Sequence, residues 1–121
     1  MAESIRLQIF TPEKTALDKA VCRVVLPYGK INLTIIPERA PTSLVLHAGP
    51  VKILDAQNQL SDLYFIDGGV ADVAQNLCKI SVRHLIRRQD ISAQQAAELQ
   101  KEKPQNAAFY KMIQEYIAAF E

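Results

Sequence analysis

The sequence predicts a mainly β protein with a small α part: an N-terminal antiparallel β-sandwich over residues 1–88, then a C-terminal α-helical hairpin over residues 89–121. Three observations carry this. Up to about Leu85, apolar residues alternate at period two in short runs bounded by Gly, Pro, Asn or Asp. These runs recur roughly every eight to twelve residues, as in sandwiches and barrels, without the intervening helices of parallel α/β folds. After Arg88 the chain turns to good helix formers with apolar residues at period 3.6.

Ile5, Leu7 and Ile9 alternate with Arg6, Gln8 and Phe10 as a half-buried strand that Thr11-Pro12 ends. Lys14–Asp18 reads as a second strand and Ala20–Leu26 as a third, with Cys22, Val24 and Leu26 on its dry face and Arg23 on the wet one. Pro27-Tyr28-Gly29-Lys30 reads as a turn. Ile31–Ile36 then points Ile31, Leu33 and Ile35 inward.

The next stretch organises the rest. Pro37 and Pro41 each lack an amide donor and fix their own φ, so the segment between them is expected as an exposed loop. Thr42–Leu46 and Val51–Leu54 read as strands, with a tight turn at Gly49-Pro50 between them. That makes six strands before residue 55. Asp55–Gln59 carries turn residues. Leu60–Ile66 and Val70–Ala74 read as strands around a sharp reversal at Asp67-Gly68-Gly69, and Gln75-Asn76 turns into a last strand, Leu77–Leu85, with Cys78, Ile80 and Val82 on one face.

In the helical part, Ser92 and Gln95 have capping-box spacing, each able to satisfy the other's free amide. Pro104 ends that helix and Asn106 can cap the next. Phe109, Met112, Ile113, Tyr116, Ile117 and Phe120 form a continuous apolar stripe, and Ala93, Ala96, Ala97 and Leu99 are small enough for close approach. The hairpin over residues 92–120 is expected to pack on itself or on the sandwich.

Composition narrows the function. With 14 basic and 13 acidic side chains the net charge is +1, which projects no field toward nucleic acid or anionic lipid. Cys22 and Cys78 sit in apolar alternation and are too few for a disulfide scaffold, so both are expected as buried free thiols in a reducing compartment. The N-terminus is too short and polar for a signal peptide, and no run approaches the ~20 apolar residues of a membrane span, so a soluble cytoplasmic protein with no membrane insertion is expected.

His47 and His84 lack any metal-ligand spacing and read as structural. No nucleophile elbow or phosphate loop is present, and Gly68-Gly69 has neither the lysine nor the helix of a phosphate cradle. The basic cluster Arg83, His84, Arg87 and Arg88 reads as a solvated face or as salt bridges between the two parts, with an acidic partner or a nucleotide phosphate as the functional alternative, and Asp62, Asp67 and Asp72 read as solubilising charges at strand ends. No acid, base and nucleophile assemble. The residues alone describe a binding or structural module, with no catalytic residue, cofactor or metal.

Five motifs in register go further: Thr11-Pro12-Glu13; Val24-Val25-Leu26-Pro27; Ile36-Pro37 with Ala40-Pro41; Ala48-Gly49 with Val51 and Ile53; and Ile66 with Gly68-Gly69-Val70. With the late helical hairpin they resemble, over essentially the whole chain, the epsilon subunit of F-type ATP synthases, called delta in mitochondria. The resemblance implies a non-catalytic rotor subunit whose sandwich grips the gamma subunit and stands on the c-ring, with the helices able to reach the beta subunits. It implies a peripheral place on the cytoplasmic face of the plasma membrane, or on the matrix side in an organelle. A diverged free-standing sandwich that binds some other partner is the alternative.

Departures from the family pattern refine the expectation. The ring-facing loop has lost both family glycines and its histidine over Ile31–Pro41, so partner contact is assigned to Asn32, Glu38 and Arg39, with Pro37, Pro41, Gly49, Gly68 and Gly69 as structural turns. The family's ATP-holding Asp and Arg are replaced by Ser92 and Gln95, which removes the charges suited to phosphate. The second helix offers Lys111 against Glu115 and Glu121, too little cationic character to engage acidic segments of catalytic subunits. At most weak regulation of ATP hydrolysis is expected.

Overall fold

The fold is taken from a computed structural model, which describes residues 4–36 and 39–120, with backbone alone at residues 39 and 40. The strands are β1 (Ile5–Phe10), β2 (Thr15–Val21), β3 (Arg23–Tyr28), β4 (Ile31–Ile35), β5 (Arg39–Leu54), β6 (Leu60–Gln75), β7 (Leu77–Val82) and β8 (Leu85–Arg87). The helices are α1 (Ala93–Glu102) and α2 (Ala107–Phe120), preceded by 3-10 turns at Arg88–Asp90 and Pro104–Asn106. Strand order is β2-β1-β7-β6-β5-β3-β4, with β8 also on β6. Pairing is antiparallel except between β1 and β7, which run parallel.

This continuous sheet doubles over on itself. Ile5, Leu7 and Ile9 of β1 share one buried cluster with Val24 and Leu26 of β3. In a flat sheet these strands, four places apart in the order, would be about 19 Å from each other at about 4.8 Å per strand. They share one core because β5 and β6, 16 residues each, run through both layers of a sandwich.

Glycines and prolines expected as turns lie instead within these two long strands. Gly49 and Pro50 pair with Ile66 and Phe65 of β6, so there is no turn there. A Cβ on Gly49 would fall 2.8 Å from Pro27 Cβ, so the glycine serves close packing, and Pro50 is accommodated where its nitrogen faces away from β6. Gly68 and Gly69 likewise do not reverse the chain. They lie where β6 leaves its pairing with β8 and takes up β7, and a Cβ on Gly69 would collide with the backbone oxygen of Ser81. Only glycine lets β7 approach this closely while the strand bends between layers.

Of the proline loop, Pro37 and Glu38 lie outside the described residues, while Pro41 is exposed within β5, where the register with β6 shifts between Arg39 and Thr42. Among the described residues five strands, not six, therefore precede residue 55. The chain breaks at Cys22, which is half-buried between β2 and β3 and not on a dry strand face, whereas Cys78 is buried and its thiol is pushed up to about 12 by desolvation. Both are free. Pro27 and Tyr28 belong to β3, which confines the turn to Gly29-Lys30, and Ile31 is 59% exposed although Ile35 is fully buried. The last expected strand is two, β7 and β8, broken at Arg83-His84.

The helical hairpin packs both on itself and on the sandwich. Ser92 Oγ accepts from the Gln95 amide at 3.1 Å and Gln95 Oε1 from the Ser92 amide at 2.9 Å, the capping box expected of this spacing. Leu63 and Phe65 point outward from β6 into a second buried cluster with Ile91, Ala96, Phe109, Tyr110, Ile113 and Ile117. Their neighbours Tyr64 and Ile66 point into the sandwich. Over this stretch β6 is buried on both faces.

Candidate interaction surface

At the junction of sheet and helices, Asp62 and Arg87 pair within the chain. Arg87 Nε donates to Asp62 Oδ1 at 3.2 Å, its Nη2 lies 2.9 Å from Oδ2, and Lys19 Nζ is 4.0 Å from the same oxygen. Burial pushes the Asp62 carboxyl up, but the Arg87 hydrogen bond, the Leu63 amide and the charges of Arg87 and Lys19 outweigh it and hold the group below its ordinary 3.8. The folded chain therefore binds fewer protons here than the unfolded one. This stability is present above pH 3.8 and is lost as the pH falls through the lower folded value. Asp62→Asn should flatten the acid limb of a stability–pH profile while lowering stability at neutral pH; parallel acid limbs for variant and wild type would refute the assignment.

His84 Nδ1 lies 2.6 Å from Asp67 Oδ2, and its ring faces that of Phe109 on α2 at 6.2 Å. Ser43 donates to Asp72 at 2.7 Å. Asp62, Asp67 and Asp72, read above as solubilising charges, are thus partners in specific contacts. No sequence pattern points to Lys52 over the rings of Tyr116 and Phe120, at 5.8 and 5.7 Å. Its alternation with Val51 and Ile53 marks it as outward, but nothing local reveals helix residues so far along the chain. His47 Nδ1 accepts from the Gly29 amide at 2.9 Å and fastens the β3–β4 turn to β5, a structural role.

Among the described residues no three His, Cys, Asp or Glu side chains gather as a metal site would require. The open groove of about 490 Å³ lined by Phe10, Asp67, Gly69 and Arg83 engages its carboxylate with His84. Among the described residues the exposed large apolar side chains include two pairs, besides Ile36, Leu60 and Phe120. Val45 and Val70 are cross-strand partners on the outer face of β5 and β6, 66% and 44% exposed, with Ser43, Asp72 and Ser81 at neighbouring positions. Tyr28 and Ile31 flank the β3–β4 turn and are also exposed.

Of the residues assigned to partner contact, Asn32 is exposed on β4 opposite Pro27, Arg39 opens β5 opposite Gln75, and Glu38 lies outside the described residues. Asn32 is not brought to the Arg39 end of the sandwich. It precedes Ile35 by three residues, roughly 10 Å of strand. Among the described residues no helix is long and apolar enough to cross a membrane.

Fold and surface together define a doubled-over β-sandwich that carries a docked helical hairpin and presents an exposed apolar pair on its outer face. Residues 4–88 match the family model for the ATP synthase delta/epsilon chain, β-sandwich domain, and the chain belongs to that family. It is similar to the ATP synthase epsilon chain of Rhizobium rhizogenes, 28% identical over 92 residues, covering 76% of this chain and 67% of that one. The epsilon chain of Gluconacetobacter diazotrophicus is 29% identical over 92 residues, covering 76% and 64%. The chain thus spans about two thirds of the length of these relatives. Its fold is that of a chain in the Euglena gracilis mitochondrial ATP synthase OSCP/F1/c-ring assembly, with TM-score 0.71, 17% identity and coverage of 84% of this chain and 64% of that one. A chain of the Tetrahymena thermophila mitochondrial ATP synthase central stalk and c-ring gives 0.64 at 21% identity, covering 93% and 96%.

Proposed function

We propose that this chain is a non-catalytic central-stalk subunit of a rotary, proton-translocating ATP synthase, joining the gamma shaft to the c-ring. The family match over residues 4–88 carries the reading. In it, residues 1–88 form the part that binds shaft and ring, and residues 89–121 the accessory hairpin. Val45 and Val70, apolar and rimmed by polar groups, suit the shaft contact. Asn32, Glu38 and Arg39 are assigned to the ring. The chain then sits peripherally on the cytoplasmic face of the membrane, or on the matrix side in an organelle.

Regulation of hydrolysis is weak in this reading. The Lys111 ammonium lies 3.9 Å from Glu115 within α2, and the buried face of that helix is committed to Leu63 and Phe65. Contact with the beta subunits is left to the exposed side of the hairpin. Depleting the chain from its host's enzyme and adding it back tests both points. Addition should restore ATP-driven proton pumping while leaving the hydrolysis rate of the catalytic head nearly unchanged. Pumping that is equally strong without the chain would overturn the reading.

A further inference from the structure

We propose that the free edge of β4 takes up an extended strand from another polypeptide of the same complex. This rests on the central-stalk reading above. β4 and β2 end the sheet order, and their edges differ. β2 is guarded by charge: Asp18 and Lys19 lie on it, and Arg6 grips Asp18 through two hydrogen bonds of 2.8 Å. β4, Ile-Asn-Leu-Thr-Ile, has no charged residue and no proline, the usual devices that stop a sheet edge from pairing further.

The ladder tells which groups are on offer. Tyr28 and Ile31 flank a two-residue turn, Gly29-Lys30, with Gly29 at φ 63°. Residues flanking such a turn exchange hydrogen bonds, and the alternation then continues along the pair. Ile31, Leu33 and Ile35 therefore spend their amides on β3. Pro27, opposite Asn32, falls at a non-bonded position where its missing amide costs nothing on this side. The backbone groups of Asn32 and Thr34 point to the open edge.

The sandwich interior also runs out to this edge. Ile35 is fully buried, Leu33 packs against the core while half-buried, and Ile31 is 59% exposed. An incoming strand with apolar residues at alternate positions would cover Leu33 and Ile31 and complete the layer. A five-residue edge is too small to hold a complex alone, since stable interfaces bury about 1,200 Å² or more. A second copy of the chain held only here would not stay. The fitting occupant is a segment of a partner already bound elsewhere on the subunit, for which the local concentration is high.

Amide exchange and one pair of variants test this. In the isolated chain the amides of Asn32 and Thr34 should exchange freely while those of Leu33 and Ile35 are protected; in the purified complex all four should be protected. Thr34→Pro removes an outward amide without touching the pairing with β3, and should weaken assembly at least tenfold, whereas Thr34→Ala should assemble normally. If Thr34→Pro melts early, Asn32→Pro and the exchange data decide. Wild-type chain in the complex with Asn32 and Thr34 still exchanging freely overturns the inference and leaves the central-stalk reading intact. Self-association abolished by Thr34→Pro would instead assign the edge to a second copy and also overturn it. Absence of the wild-type chain from the complex would overturn the central-stalk reading itself.

Discussion

Replacing Phe65 by alanine should cost about 3–5 kcal/mol of stability, the range for deleting a fully buried aromatic ring. Phe65 is completely buried and lies between the sandwich and the hairpin. Its ring meets Tyr116 of α2 edge-to-face at 5.4 Å and 75°, the arrangement aromatic quadrupoles favour. Alanine would leave a void beneath α2 that Leu63 and Ile113 cannot fill without moving the helix. Urea denaturation with Phe120→Ala as control checks this. Phe120 is 66% exposed and should cost less than about 1 kcal/mol. A Phe65→Ala loss that small would mean the hairpin is not held down by this contact.

The second large effect concerns association. The double variant Val45→Asp, Val70→Asp places two charges side by side on the face proposed to meet the shaft, where each must lose its water without a partner. Binding to the isolated shaft subunit should weaken by on the order of 100-fold, about 2.7 kcal/mol. Folding should lose only about 1 kcal/mol, the cost of like charges directly opposite on paired strands, because both positions are solvent-facing and their inward neighbours Leu44, Leu46 and Ala71 are untouched. Calorimetric titration against the shaft subunit reads the first effect and thermal melting the second. Unchanged affinity in a folded variant would move the shaft contact to another face.

What the sequence made legible is what depends on near neighbours. Ile5, Leu7 and Ile9 announce β1 because a half-buried strand needs only its own alternation. Ser92 and Gln95 announce the start of α1 because both ends of the capping box are local. Gly68 uses its backbone freedom, at φ 117°, within a strand and not in a reversal, and Gly49 and Gly69 misled because here the missing Cβ admits Pro27 and the backbone of β7. That requirement is set by residues 12 or more positions away, which a local pattern cannot contain. Pro50 misled for a related reason, since a proline is forbidden only where its nitrogen must donate.

The interaction surface was legible in kind but not in place. An exposed apolar patch with a polar rim was to be expected on the sandwich, yet Val45 and Val70 look like ordinary outward positions until the register sets them opposite each other. The Asp62–Arg87 pair was hidden similarly, its members 25 residues apart on β6 and β8. Asn32 was singled out for its place in the ring-facing loop; its position on an uncharged edge strand is visible only from the sheet order.

As a proposed central-stalk subunit, this chain should travel with a rotary ATP synthase. The most direct measurement is to tag it, solubilise membranes of its own host gently, and quantify what co-purifies. The expected result is recovery of the gamma shaft together with the alpha and beta catalytic subunits in fixed proportion to the tagged chain. A chain that elutes alone from the soluble fraction, while the host's synthase retains a different epsilon subunit, would contradict it.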